Sequence, residues 1–152
     1  MRKKAKKKTL YDHQIDKMIM VKVEIKDKQI PLQEYTVGLQ ARIDSQVIGI
    51  SSKHTIEEKR KLRKDYIDQM TELDSVILCK TLFLCLEPGH YDSWEELGED
   101  LPCDMLTMFN VSNALAVNMS KSMPELAKEV QEKGKKLIAE YRKAMMNVVK
   151  QA

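Results

Sequence analysis

From Thr36 to Lys150 apolar residues recur at three- and four-residue intervals between turn residues, whereas a period-two pattern occurs once, from Met18 to Ile25. A chain patterned this way folds as helices with one small β-element laid on them, because side-chain period fixes which element can bury a face. In the alternating stretch Ile19, Val21, Val23 and Ile25 share one side, and Lys22, Glu24 and Lys26 share the other. Asp27 and Lys28 read as a tight turn, and Gln29–Gln33 as the returning strand. Pro31 lacks an amide hydrogen and so suits an outer edge. An isolated hairpin is marginal in water, so its apolar face must lie on the helices or on another chain.

The helical part punctuates itself. Thr36 is placed to cap a helix carrying Leu39, Ile43, Val47 and Ile50 in one stripe, ended by Gly49. Thr55 and Glu58 form a capping box, in which the hydroxyl accepts the Glu58 amide and the carboxylate reaches back to the cap. The helix it opens becomes more apolar along its length through Ile67, Met70, Leu73, Val76, Ile77, Cys79, Phe83 and Leu84, with a break near Thr71. Glu87-Pro88-Gly89-His90 stops it. A second box, Ser93 with Glu96, opens a short helix with Trp94 and Leu97. Asp100 and Pro102 start another, in which Met105, Leu106, Phe109, Asn113 and Val117 share a side; with few charges, this helix is expected to be largely enclosed. A third box, Ser122 with Glu125, precedes a long amphipathic helix from Met123 to about Lys150, striped by Leu126, Val130, Leu137, Ile138, Tyr141, Met145 and Val148 and disturbed by Gly134. Such a helix is about 40 Å long, more than a domain of this size needs to cover its core, which leaves apolar stripe for a partner.

The 152 residues fit one domain. We assign residues 1–12 to a basic flexible tail and 13–152 to a single mostly helical domain. Arg2, Lys3, Lys4, Lys6, Lys7 and Lys8 supply six of the 26 positive charges; without them 20 face 23 acids, so the remainder carries −3. That balance disfavours a folded body dedicated to gripping phosphates and leaves the tail as the nucleic-acid contact or assembly arm. The apolar run Val76–Leu86 is interrupted by Lys80 and falls short of the roughly 20 residues of a membrane span. The odd count of Cys79, Cys85 and Cys103, with no signal peptide, fits a reducing compartment, and we expect a cytoplasmic protein with buried thiols.

No chemistry-bearing constellation is legible. His13, His54 and His90 lie in separate segments without a His or Cys at ligand spacing, so no metal or cofactor is expected. The acids Asp92, Glu95, Glu96, Glu99 and Asp100 surround Trp94; such a cluster is ordinarily a solvated helix start, and it also suits docking of a basic partner with Trp94 as anchor. Neither a glycine-rich phosphate loop nor a nucleophile elbow occurs. Ten methionines in an aromatic-poor chain fill core space and also suit an adaptable apolar surface.

The hairpin "MVKVEIKDKQIPL", the phrase "QEYTVGLQARI", and "ILCKTLFLCLEP" followed by the acidic Trp94-Glu95-Glu96-Leu97 segment and a helix to Val117 resemble the tail assembly chaperones of long-tailed bacteriophages. The resemblance covers roughly residues 18–118. It implies a non-enzymatic helical protein that coats a long tape-measure or tail-tube type client in the host cytoplasm and self-associates as a homo-oligomer. The family has no invariant motif to transfer, so the nominated contacts come from the stripe itself: Leu137, Tyr141, Met145 and Val148, with the hairpin edge and Trp94 as further surfaces. Two rival expectations stand beside it. One is a structural baseplate or neck component with the tail as assembly arm; the other is a nucleic-acid-associated regulator acting through Arg2–Lys8.

Overall fold

A computed structural model describes residues 21–120 and 124–151, with no side-chain description at 125–127 and 150–151. The expected strand start at Met18 and Ile19, the basic residues Arg2–Lys8, His13 and the Ser122 cap lie outside the described residues. Within them the architecture is mostly helical, with one antiparallel hairpin and a long C-terminal helix.

Strands β1 (Lys22–Ile25) and β2 (Lys28–Pro31) pair with Ile25 opposite Lys28. The turn is therefore Lys26–Asp27, one residue earlier than expected. Both residues hold positive φ, 49° and 66°, the left-handed pair that matches the twist of a two-residue hairpin. Val23, Ile25, Ile30 and Leu32 are buried while Lys22, Glu24 and Lys28 face solvent, so the alternation reads out as expected. Pro31 does sit on the outer side of the pair. The end of that edge is taken: Leu32 bridges Leu86, the Gln33 amide donates to the Cys85 carbonyl at 2.7 Å, and the Glu87 amide donates to the Pro31 carbonyl at 2.9 Å. The Gln33 side-chain amide adds bonds to the Leu84 and Leu86 carbonyls. The hairpin is sewn to the helical body there, which removes much of its value as a free client-binding edge.

Helix α1 (Val37–Ile43) is capped by Thr36, whose hydroxyl accepts the Leu39 amide at 3.1 Å. It widens into a π-turn, Asp44–Ile48, closed by Gly49 at φ 85°. The widening explains why Leu39 and Ile43 are buried but Val47 and Ile50 only half-buried: a stripe spaced for an α-helix rotates off the core when the turn expands. Helix α2 (Ile56–Thr71) begins with the expected reciprocal capping box. The break expected near Thr71 is real. Leu73 turns left-handed at φ 63°, and Asp74 caps α3 (Ser75–Cys85) by accepting the Ile77 amide at 3.0 Å. Apolar nearly all round, α3 is the central rod and packs on α1, α2, α4 (Trp94–Asp100) and α5 (Met105–Met119). Tyr66 of α2 and Thr81 of α3 pair their buried hydroxyls at 2.9 Å, satisfying two groups that would otherwise be costly inside.

Two expectations need correction. Ser93 caps α4, but the Glu96 carboxylate accepts from the Asp92 amide rather than from Ser93, so the box is one-sided. Helix α5 starts at Asp104, which accepts the Thr107 amide at 2.8 Å, and not at Asp100. Its buried face is Met108, Val111, Ser112, Leu115, Ala116 and Met119, whereas Met105, Leu106 and Val117, on a helix expected to be largely enclosed, are exposed. A helix without a single charge offers periodicity no polar side to exclude. The small Ser112 and Ala116 decide instead: they permit close approach, and the Ser112 hydroxyl donates to the Met70 carbonyl of α2 at 3.2 Å.

Candidate partner-binding helix

Helix α6 (Pro124–Gln151) follows α5 after a short connection and lies back along it and along α2. Its hold on the body is made near its beginning. Val130 is buried, and the Lys133 ammonium donates to the Thr71 hydroxyl at 3.1 Å. Gly134, a disturbance when read from sequence, is the closest contact: a Cβ there would overlap the Phe109 ring. Glycine is required at this position by close approach and not by backbone conformation.

Beyond Gly134 the helix leaves the core. Leu137 and Ile138 are half-buried, and residues 139–149 are all exposed. Down the stripe exposure climbs from 41% at Tyr141 to 48% at Met145 and 59% at Val148. The geometry explains the gradient. With Gly134 opposite Phe109 in an antiparallel pair, Met105, one turn earlier on α5, is set opposite Ile138, one turn later on α6. Met105 is the first residue of α5, and the 14 residues from Ile138 to Gln151 run on for about 20 Å. By the same register the exposed Met105 and Leu106 come level with the base of the projecting segment. The sequence reading nominated Leu137, Tyr141, Met145 and Val148 and missed Met105 and Leu106, having placed them inside. The Phe109–Gly134 contact is the signal that relocates them.

Isolated exposed apolar residues are normal on a protein, but a continuous stripe carried away from the core is not. No compensating polar residue interrupts the line from Tyr141 through Met145 to Val148, and Met146 and Val149 extend it sideways.

Trp94 plays a different part. It is half-buried in the α3–α4 packing, its carbonyl accepts the Cys79 thiol at 3.3 Å, and the Lys80 ammonium lies 5.1 Å from its ring centre. Its environment is thus set by α3, and the structure does not join it to the α6 stripe. Two of the acids around it, Glu96 and Asp100, are likewise engaged structurally. Asp100 accepts from the Tyr91 hydroxyl at 2.9 Å and pairs with Lys26 at 3.1 Å, tying α4 to the hairpin turn. The Tyr91 bond, then Lys26, hold its carboxyl below the usual range, the opposite of a carboxyl poised as a general acid.

Burial pushes the Cys85 thiol up to about 12 and raises Cys79 as well, so both are protonated core groups rather than nucleophiles. Cys103 is exposed, contrary to the expectation of buried thiols throughout. The His54 Nδ1 accepts the Ser51 amide at 3.0 Å, and His90 lies 3.2 Å from Glu87. Among the described residues no group of three or more His, Cys, Asp or Glu side chains is placed to hold a metal ion. No helix among them is long and apolar enough to cross a membrane. An open cleft between α2 and α6 carries Lys59, Arg60, Arg63 and Lys64, but Asp68 and Glu129 line it too and Arg63 is paired with Asp44 at 3.1 Å, so its charge is mixed.

Comparison of the chain with protein-family models, with curated proteins and with solved structures gives no match.

Proposed function

We propose that this chain is a non-enzymatic protein-binding factor that shields apolar helices of a long helical client, acting as a phage tail assembly chaperone in the host cytoplasm. The observation that carries the reading is the projecting stripe of α6, where Tyr141, Met145 and Val148 stay exposed on a helix whose other end is anchored in the core. A shielding factor needs an apolar surface that client helices can enter and leave, and helix-in-groove docking supplies it through anchors at three- and four-residue intervals. Flexible methionine at Met145, Met146 and Met105 suits a surface that meets more than one helix. The resemblance of residues 18–118 to tail assembly chaperones supplies the identity of the client class, a tape-measure or tail-tube type protein.

Affinity capture of the tagged chain from cells expressing the client, at low and high salt, tests this. A salt-resistant complex with a long helical protein is expected for the wild type, and loss of it in a Met145→Glu, Val148→Glu variant of unchanged helix content. Recovery of nucleic acid alone, released by salt, would favour the regulator instead.

A further inference from the structure

We infer that the occupant of the α6 stripe is an amphipathic helix whose own apolar face is bordered by carboxylates. This rests on the reading of α6 as a client-binding surface and goes beyond it to the chemistry of the client. At 100° per residue Leu137, Tyr141, Ala144, Met145 and Val148 fall within a sector of about 100°. On one side Ile138 and Val149 widen the sector and Arg142 and Lys135 lie beyond them; Glu140 and Lys136 border the other side, and Lys143 lies behind; all five charged residues are exposed. The residues flanking the stripe, Lys135, Lys136, Arg142 and Glu140, carry a net +2. A partner helix laid on the stripe therefore meets guanidinium and ammonium groups at its rim, where carboxylates make charge-assisted pairs that speed encounter and set orientation.

A second copy of α6 is served less well by these charges. In an antiparallel pair like flank meets like flank, so Lys135 and Arg142 of one copy face those of the other, and only the opposite flank, with Lys136 against Glu140, is complementary. A client helix laid along the stripe comes level with the exposed Met105 and Leu106 of α5.

The test uses two synthetic helical peptides with one apolar stripe, flanked by Glu in one and by Lys in the other. Binding to the full chain is followed by fluorescence anisotropy. The Glu-flanked peptide is expected to bind at least about tenfold more tightly at low salt, with the preference shrinking as salt screens the rim. It is expected to reverse in a Lys135→Glu, Arg142→Glu, Lys143→Glu variant whose circular dichroism matches wild type. Equal binding of both peptides, abolished by Met145→Glu, would overturn the charge inference and leave the stripe reading intact. Binding of neither, or binding indifferent to Met145→Glu, would overturn both. Self-association that displaces the peptides, or uptake by phosphatidylglycerol vesicles that the Glu-flanked peptide cannot compete away, would overturn the inference in favour of a second copy or a lipid surface.

Discussion

At the scale of single residues, the anchoring of α6 turns on one hydrogen atom. Gly134 has none of the left-handed backbone that usually explains a glycine; it is there because the Phe109 ring occupies the space of a side chain. Gly134→Ala gains helix propensity of up to about 1 kcal/mol, yet it forces Phe109 or the helix to move, at a typical overpacking cost of about 1–3 kcal/mol. We expect the variant to be less stable by about 1 kcal/mol in urea denaturation, with Phe109→Leu, Gly134→Ala recovering part of the loss. A stabilised single variant would show that the two helices do not approach as described. From sequence alone Gly134 is a helix fault, because a close approach needs two partners and only one of them was in view.

At the scale of elements, the chain announced its boundaries better than its faces. Thr36, Thr55 and Asp74 cap as short polar side chains do, by local hydrogen bonds that need no tertiary context. The hairpin alternation holds for the same reason, since period two leaves one register that buries Val23 and Ile25. The hairpin turn slipped by one residue because Lys26 reads as the last polar position of a strand, while its left-handed φ is imposed by closing the pair. The buried side of helix α5 was not legible because fifteen residues without a charge leave the choice to its neighbours. Helix α6 was legible as a stripe, but the sequence does not say where along its length burial stops; that is set by where its antiparallel neighbour α5 begins. A chain ending after Ile138 should therefore retain its cooperative unfolding transition within about 1 kcal/mol, because residues 139–149 are all solvent-exposed, while losing client capture. Collapse of the fold on that truncation would place the distal helix in the core's support and not on a partner.

At the scale of the whole molecule, a body and a projection divide the work. The hairpin, α1 to α5 and the start of α6 enclose a core whose buried polar groups Thr81 and Ser112 are hydrogen-bonded, and the outer half of α6 carries apolar surface into solvent. Mostly helical architecture with one hairpin followed from the two periodicities in the chain. The site was half legible: Tyr141, Met145 and Val148 were found as a stripe longer than the domain needs, whereas Met105 and Leu106 come level with its base only once α5 and α6 are packed. The most direct measurement of the central claim is amide hydrogen exchange on the free chain and on its complex with the captured client. The account predicts fast exchange over residues 139–149 in the free chain and marked slowing there, and at the start of α5, in the complex. Slowing confined to other surfaces, with residues 139–149 unchanged, would contradict it.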